Sequence, residues 1–263
     1  MVPTREGKKG ASAARVECRG RGRDARSRDA CLRLALLALI LPWHASSLPG
    51  AAADLEAGRA VVVGGEEGTI TPCFMCHGLD GVGDSAGAFP RLTGQAAFYM
   101  YKQLVDYASG ARPNDVMSPI ADQMTEPQMA NVAFYYSALD APYPPLLGPI
   151  EPELLARGRE IAEDGAADDD VPACNLCHGA NGAGDPPLFP YLAGQYAPYT
   201  ELQLQLWRQG VRRNDGLDVM ANIARAMSDE DIHAVAVYFE SVRPDAANGG
   251  SGVEVGARER SGG

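Results

Sequence analysis

Helical spacing dominates the pattern of apolar and polar side chains in two segments of the chain. Each segment repeats large side chains at intervals of three and four residues, which places them on one face of a helix. These positions are Tyr99, Gln103, Leu104 and Tyr107 in the first segment and Tyr199, Gln203, Leu204 and Trp207 in the second. Gly110 and Gly210 follow where each helix is expected to stop. The alternating pattern of strands is nearly absent, so the sequence predicts an all-α fold.

Capping signals predict a further helix in each segment. Thr125 stands three residues before Gln128, and Ser228 stands three residues before Asp231, each pair at the start of an apolar run. Both pairs have the spacing of a capping box, although Asp231 is shorter than the usual Glu or Gln. We therefore expect a capped final helix in both segments.

The two segments are copies of one sequence repeat. Residues 76–115, "CHGLDGVGDSAGAFPRLTGQAAFYMYKQLVDYASGARPND", match residues 177–215, "CHGANGAGDPPLFPYLAGQYAPYTELQLQLWRQGVRRND", with a single gap. Residues 116–139 match residues 219–242 after an insertion at 216–218. A repeat of this length predicts two homologous domains of about 85 to 100 residues each.

The composition between and beyond the repeats sets the expected domain bounds. We place the two domains at residues 54–140 and 151–243. The Pro-rich stretch at 141–150 is expected to be a semi-rigid linker, because its prolines cannot continue a helix. Residues 244–263 are polar and rich in glycine, which is typical of a disordered tail.

Residues 1–53 have the composition of a secretory signal peptide. A basic stretch containing "RGRGRDARSR" precedes the apolar run "CLRLALLALIL", which is followed by small residues that end in Ala53. This run is too short to span a membrane. We expect export to the periplasm, cleavage near residue 53 and no stable membrane insertion afterwards.

The expected mature chain is strongly acidic. Residues 54–263 contain 13 Lys and Arg and 30 Asp and Glu, a formal net charge of −17, and Lys102 is their only lysine. This charge disfavours nucleic acids and anionic membranes as partners and favours a protein with a basic docking face. Adaptation of the surface to a salty habitat explains the same charge equally well.

The four cysteines after residue 53 stand in two copies of one motif, "CFMCHG" at 73–78 and "CNLCHG" at 174–179. An exported protein could pair them in two disulfides. A redox disulfide or a zinc site would give the adjacent histidine no role, and the redox interpretation also lacks a βαβ context. Covalent haem attachment uses every residue, because Cys i, Cys i+3 and His i+4 project from one face of a helical turn. We therefore predict two covalently bound haem c groups, attached at Cys73, Cys76, Cys174 and Cys177, with His77 and His178 as iron ligands.

Each haem iron then needs a sixth ligand, for which a Met or His present in both repeats is the natural candidate. His233 has no counterpart in the first repeat, so we expect it to be exposed on a helix. Two methionine pairs recur, Met117 with Met220 and Met124 with Met227. The second pair directly precedes the capping residues, where packing on the first helical turn already explains a methionine. We predict Met117 and Met220 as iron ligands and keep the other pair as the alternative.

The order of these motifs resembles that of class I c-type cytochromes, specifically the dihaem cytochrome c4 family. The resemblance covers about residues 54–243 and rests on Cys-x-x-Cys-His, "FPxLxGQ", the Tyr-rich helix, "ND", and "VM" before the capped final helix. It implies two tandem cytochrome c domains related by a pseudo-twofold axis, with haems close enough to exchange electrons. The chain departs from the family in having Met at positions 124 and 227, where Leu is common, so the choice of methionine ligand stays open.

The resemblance also implies roles for repeated loop residues. In class I cytochromes a proline carbonyl accepts a hydrogen bond from the axial histidine, and Pro90 and Pro190 match that proline. Plain loop geometry is the alternative explanation for both prolines. Arg112 and Arg212 could pair with haem propionates, but we expect them to be solvated on the surface.

These features predict an electron carrier and not an enzyme. The resemblance implies a periplasmic cytochrome that passes single electrons from a donor such as a quinol-oxidising bc complex to a terminal oxidase or reductase of a respiratory chain. The alternative is a haem-bearing electron acceptor in an enzyme complex, such as flavocytochrome c sulfide dehydrogenase with its flavoprotein subunit. A catalytic dihaem enzyme, such as a peroxidase or thiosulfate dehydrogenase, fits less well because both irons are expected to be closed by methionine.

Overall fold

A computed structural model of the chain describes residues 53–65, 70–146, 148–166 and 170–244. Regular structure in these ranges is helical, with isolated bridges in place of strands. The all-α prediction is confirmed. The expected signal peptide and the expected tail lie outside the described residues, apart from Ala53 and Pro244. Within the described ranges, none of the helices has the length and apolar character needed to cross a membrane.

The helices follow the same order in both halves of the chain. The first half contains α1 (Leu55–Gly64), α2 (Phe74–His77), α3 (Ala97–Ser109), α4 (Met117–Asp122) and α5 (Glu126–Ser137). The second half contains α6 (Pro152–Glu163), α7 (Asn175–His178), α8 (Ala197–Arg208), α9 (Val219–Ala226) and α10 (Asp229–Ser241). Two 3₁₀ turns, Ala180–Gly182 and Gly216–Asp218, interrupt the second half. The sequence repeat is therefore also a repeat of helices.

The long helices begin and end where local chemistry stops them. The Asp54 carboxylate caps α1 by accepting hydrogen bonds from two backbone N–H groups of the first turn. Helix α3 ends before Gly110, which has a left-handed φ of 77° and donates its N–H to the carbonyl of Tyr107. Gly210, with φ 69°, lies two residues beyond the last residue of α8. Both glycines take the conformation that ends a helix, as the sequence predicts.

The capping box forms in the first half and only half forms in the second. The side chain of Gln128 accepts a hydrogen bond from the N–H of Thr125 at 2.7 Å. Ser228 accepts one from the N–H of Asp231 at 3.0 Å, but the Asp231 carboxylate does not reach back. It accepts two hydrogen bonds from Arg157 of α6, at 2.8 and 3.2 Å. The expectation of a full capping box at α10 is corrected, because the short Asp side chain pairs with α6 instead.

Each half is built on a close crossing of its first and last helices. Helix α1 packs on α5 and α6 packs on α10. A Cβ atom on Gly58 would collide with the carbonyl oxygen of Asn131, and one on Gly158 would collide with that of Ala234. Only glycine allows the two backbones to approach this closely. Helices α3 and α8 then pack on α5 and α10 respectively, and the apolar core of each half lies between these helices.

The segment at 141–144 contacts both halves of the chain. The Arg91 guanidinium donates hydrogen bonds to the carbonyls of Ala141, at 2.7 Å, and Pro142, at 3.0 Å. Arg243 donates to the carbonyl of Pro144 at 3.0 Å. Both guanidinium groups lie over the ring of Tyr143, with centroid distances of 4.7 and 4.9 Å. One arginine from each half therefore contacts Tyr143.

Reciprocal hydrogen bonds between glutamine side chains and backbone groups join the two halves. Gln95 and Tyr191 exchange two hydrogen bonds, at 2.9 and 2.8 Å. Gln195 matches Gln95 in the repeat, and Arg91 matches Tyr191. Gln195 and Arg91 also exchange two hydrogen bonds, both at 2.9 Å. Such reciprocity is the pattern expected when two similar domains are related by an approximate twofold axis.

Candidate functional site

Each Cys-x-x-Cys-His motif forms a single helical turn. The N–H of His77 donates to the carbonyl of Cys73 at 3.0 Å, and the N–H of His178 donates to that of Cys174 at 2.9 Å. These bonds close the turn between the first cysteine and the histidine in α2 and α7. The helical turn that the haem prediction requires is present in both halves.

A proline carbonyl contacts each motif histidine. Nδ1 of His77 lies 3.2 Å from the carbonyl oxygen of Pro90, and Nδ1 of His178 lies 3.0 Å from that of Pro190. A carbonyl oxygen can only accept, so Nδ1 carries the proton and Nε2 keeps its lone pair. Nε2 is therefore the nitrogen of each ring that is suited to bind a metal ion, and the hydrogen bond fixes the orientation of the ring.

Burial keeps both imidazole rings neutral. His77 and His178 are 8% and 7% exposed. Burial lowers the pKa of each ring, and the hydrogen bond to the proline carbonyl opposes that effect without cancelling it. The rings of Phe89 and Phe189 stand edge-on to the two histidines, with centroids 6.4 and 6.1 Å away. The two histidines thus have nearly the same surroundings.

The four motif cysteines are half-buried free thiols. Burial raises the pKa of Cys73 and Cys174 to about 11, which keeps these thiols protonated and poorly reactive at neutral pH. A structural zinc site would gather several ligands at one place. Across the described ranges, no three His, Cys, Asp or Glu side chains are grouped so that they could hold a metal ion. The geometry therefore gives no support to the disulfide and zinc alternatives.

The two candidate methionine pairs differ in their surroundings. Met124 and Met227 are buried in the apolar cores, each in the same cluster as the fourth residue of the following helix, as hydrophobic-staple packing predicts. Met117 and Met220 are half-buried at the start of α4 and α9. Met220 packs against the core cluster that also contacts Cys174. Met124 and Met227 thus have a packing role. Met220 lies at the edge of its core, and Met117 and Met220 stay the predicted ligands.

Arg112 and Arg212 are buried, so the expectation that they are solvated at the surface is wrong. Each is 4% exposed. Arg112 donates to the side-chain oxygens of Gln103 and Gln203 at 3.0 and 2.6 Å. Arg212 donates to the same two oxygens at 3.1 and 2.9 Å. The arginines can be buried because glutamines of both halves replace water as their acceptors.

This cluster of buried donors fits a group that carries carboxylates. In the described part of the chain, the side-chain partners of Arg112 and Arg212 are neutral amide and phenol oxygens, and neither arginine forms an ion pair. The indole N–H of Trp207 is buried without a hydrogen-bond partner, and the Arg212 guanidinium lies 3.8 Å from the centroid of that ring. Buried cations and donors are stabilised by anionic acceptors. Haem propionates are such acceptors, so the residues present fit haem.

The sequence pattern predicts no role at the interface for the glutamines that join the halves. Gln95 and Gln103 recur as Gln195 and Gln203, each buried. Identical amides at matching positions of otherwise apolar segments were the available signal. Lys102 and Asp106 gave no such signal, because leucines replace them in the second repeat. His233 lies exposed on α10, as expected.

The chain is similar to known cytochromes in sequence and in fold. The family model Cytochrome c matches residues 155–243. The chain is 43% identical to a thiosulfate dehydrogenase electron acceptor of Stutzerimonas stutzeri (strain A1501), over 74% of this chain and 89% of that protein. It is 33% identical to cytochrome c4 of Azotobacter vinelandii, over 79% of this chain and 98% of that protein. The crystal structure of reduced recombinant cytochrome c4 from Pseudomonas stutzeri matches with a TM-score of 0.64 at 33% identity, covering 73% of this chain and 100% of that one.

Proposed function

The chain belongs to the cytochrome c4 family, and we propose that it carries single electrons in the periplasm from a quinol-oxidising bc complex to a terminal oxidase or reductase. As a member of this family it is a dihaem c-type cytochrome, an electron carrier and not a catalytic enzyme. We assign one haem to residues 54–140 and the other to 151–243, with residues 141–150 as the linker and residues 1–53 as a signal peptide.

The residues that would hold each haem come from one motif and one loop. The first haem would be attached at Cys73 and Cys76, with His77 and Met117 as the iron ligands. The second would be attached at Cys174 and Cys177, with His178 and Met220 as the iron ligands. When bound, haem supplies a one-electron couple, and methionine ligation raises its potential.

The side chains around each motif perform three tasks toward that group. The carbonyls of Pro90 and Pro190 orient the histidine rings and raise their basicity. The apolar cores beside Cys73 and Cys174 exclude water, so little has to reorganise when the charge on the iron changes. We assign Arg112, Arg212 and the indole N–H of Trp207 to the propionates, since anionic acceptors would stabilise the two buried cations and the indole N–H has no partner.

One observation carries this proposal: both motif histidines bond a proline carbonyl through Nδ1 and leave Nε2 available, in surroundings that match between the halves. An idle histidine beside a disulfide would not require this arrangement twice. The doubled arrangement is accounted for if each half binds one iron through the same nitrogen.

The proposal can be tested by export of the chain in a host that matures c-type cytochromes. We expect the purified protein to have the mass of the cleaved chain plus two haems and to be reduced rapidly by a purified bc complex with a quinol. The rate should fall as salt is added, because the acidic surface attracts a basic docking face. A product with fewer than two haems would refute the attachment sites, and a dihaem protein that the bc complex does not reduce would refute the donor.

A role as the electron acceptor of an enzyme is a second candidate. The relative at 43% identity is named as the electron acceptor of a thiosulfate dehydrogenase, which favours that enzyme over a flavoprotein sulfide dehydrogenase as the partner. The discriminating experiment mixes the dihaem protein with a purified thiosulfate dehydrogenase and thiosulfate. Rapid reduction of the haems in this mixture would support this candidate. Reduction by the bc complex, with none by the thiosulfate dehydrogenase, would exclude it.

A further inference from the structure

The loop before Met117 is held by its own half of the chain. The side-chain oxygen of Asn114 accepts hydrogen bonds from the N–H groups of Val116, at 3.0 Å, and Met117, at 2.7 Å. The N–H of Asn114 donates to the hydroxyl of Ser118 at 3.0 Å, which closes the turn. One asparagine thus orders the start of α4 through local bonds.

The matching asparagine of the second half is held from across the interface. The insertion Gly216–Asp218 separates Asn214 from α9, so its side chain cannot cap that helix as Asn114 caps α4. Instead, its amide donates to Asp106 at 2.6 Å and to Gln103 at 2.8 Å, and both acceptors lie on α3 of the first half. Lys102 of α3 pairs with Asp106 and donates to the carbonyl of Asn214 at 2.9 Å.

These contacts leave Asn214 with little freedom. Its side-chain oxygen accepts from Nε of Arg212 at 2.9 Å, so the amide has partners at both ends. The Asp106 side chain is only 14% exposed. Hydrogen bonds to a partly buried carboxylate are stronger than those between neutral groups. Asn214 is therefore a fixed point of the second half, held largely by residues of the first.

The segment between Asn214 and α9 needs such a fixed point. Leu217 and Asp218 both have left-handed backbone conformations, with φ 61° and 57°, which are unfavourable for residues other than glycine. Consecutive residues in this region persist only where the surrounding structure holds them. The Asp215 carboxylate supports the far end by accepting a hydrogen bond from the N–H of Ala221 at 3.2 Å. Met220 lies two residues after this strained turn.

We propose that Lys102 and Asp106 are positioning residues for the second haem, because through Asn214 they hold the loop that presents Met220 to the iron. The inference rests on the proposed function, in which Met220 is an iron ligand. The hold acts in one direction. Leu202 and Leu206 stand where Lys102 and Asp106 would be in the second repeat, and neither side chain can bond Asn114. The first domain therefore steadies the ligand of the second, while Met117 depends on its own domain.

The experiment measures how fast added imidazole displaces methionine from iron in the oxidised dihaem protein. In a Met117→Ala background only the second haem keeps a methionine ligand, so its absorption band reports that site alone. Asp106→Ala in this background should speed the displacement by about tenfold or more. The lost charge-assisted hydrogen bond would allow the loop between Asn214 and α9 to move Met220 away from the iron more often. Lys102→Met should act in the same direction with a smaller effect, because it leaves the Asn214–Asp106 bond in place.

Two controls separate positioning from general destabilisation. In a Met220→Ala background only the first haem reports, and there Asp106→Ala should leave the displacement rate unchanged while Asn114→Ala raises it. Leu202→Met, the matched position of the second half, should change neither rate. Equal acceleration at both haems, or none at the second, overturns the inference. If Met220→Ala removes no part of the methionine band, Met220 is not an iron ligand. The proposed ligand assignment then fails, and the inference fails because it depends on that assignment.

Discussion

The two halves of the chain hold their motif histidines by the same hydrogen bond and their candidate methionine loops by different ones. His77 and His178 each bond a proline carbonyl of their own half. Asn114 orders the Met117 loop locally, whereas Asn214 is bonded to α3 of the opposite half. The hydrogen bonds of the two histidines, each made within one repeat, are the same in both halves. Contacts at the interface can diverge, because each half meets a different surface there.

The last helices show a second difference between the halves. The Tyr136 hydroxyl donates to the carbonyl of Gly78, the residue after His77, at 3.0 Å. Phe239 stands at the matching position of α10 and has no hydroxyl to donate. Both rings are almost fully buried. The first motif is therefore tied to its last helix by a hydrogen bond that the second motif does without.

The largest expected effect tests what the halves share. Gly58→Val and Gly158→Val should each destabilise the protein by about 3 kcal/mol, because the new side chain collides with a backbone carbonyl of the facing helix. Denaturant unfolding of the dihaem protein measures both. Gly64→Ala is the matched control, since its Cβ meets no atom and the change should cost nothing. Unequal effects at Gly58 and Gly158 would show that the two crossings are not equivalent.

The next effect tests the interface. Gln203→Ala removes an acceptor from Arg112 and Arg212 and should cost about 2 kcal/mol, the penalty for leaving buried charged donors unsatisfied. Gln103→Ala should cost more, because Gln103 also accepts from Asn214. Gln209→Ala serves as the control, because Gln209 is exposed and lies in the same half as Gln203. A larger loss at position 203 than at 103 would contradict the asymmetry of the interface.

Much of the fold follows from the sequence, and the motif alone identifies the two histidines, while their proline contacts follow from the family resemblance. Helical spacing and glycine stops identify α3 and α8, since these signals act within a few residues. The resemblance, not the residues alone, singled out Pro90 and Pro190, whose carbonyls contact the histidines.

The interface could not be predicted in the same way. The burial of Arg112 depends on which face of α8 it meets, and no spacing rule encodes that. Asp231 was expected to cap its own helix, but Arg157 of a helix distant in sequence competes for its carboxylate. Asn114 and Asn214 look identical in the sequence, and only the folded chain shows that the insertion redirects one of them.

A smaller effect tests the difference between the last helices. Tyr136→Phe should cost about 1 kcal/mol, because the partly buried carbonyl of Gly78 loses its hydrogen-bond donor. Tyr135→Phe is the control: its hydroxyl also donates to a backbone carbonyl, at 3.1 Å, but in an exposed position where water can replace it. Thermal unfolding of the dihaem variants compares the two. Equal losses of stability in the two variants would contradict a larger contribution from the Tyr136 hydrogen bond.

The smallest effect compares Gln128 of α5 with Asp231 of α10, the third residue of each helix, by the response to pH. The hydrogen bonds from Arg157 lower the pKa of Asp231. This pair therefore stabilises the fold above the unfolded-state pKa of about 4 and loses its contribution as pH falls through the lower, folded-state pKa. Asp231→Asn should cost less than about 1 kcal/mol at pH 7, since Arg157 is partly exposed, and progressively less below pH ~4. Gln128→Ala, the matched change at α5, removes no titrating group, so its cost should stay constant; a cost at position 231 that does not change with pH would contradict the ion pair.

The most direct test of the account is the methionine-to-iron absorption band of the oxidised dihaem protein. Met117→Ala and Met220→Ala should each remove about half of the band, and the double variant should remove all of it, because each half supplies one methionine to one haem. Met124→Leu and Met227→Leu should leave the band unchanged, since these side chains belong to the cores. Retention of the band in the double variant, or its loss in the leucine variants, would contradict the assignment of one histidine and one loop methionine to each haem.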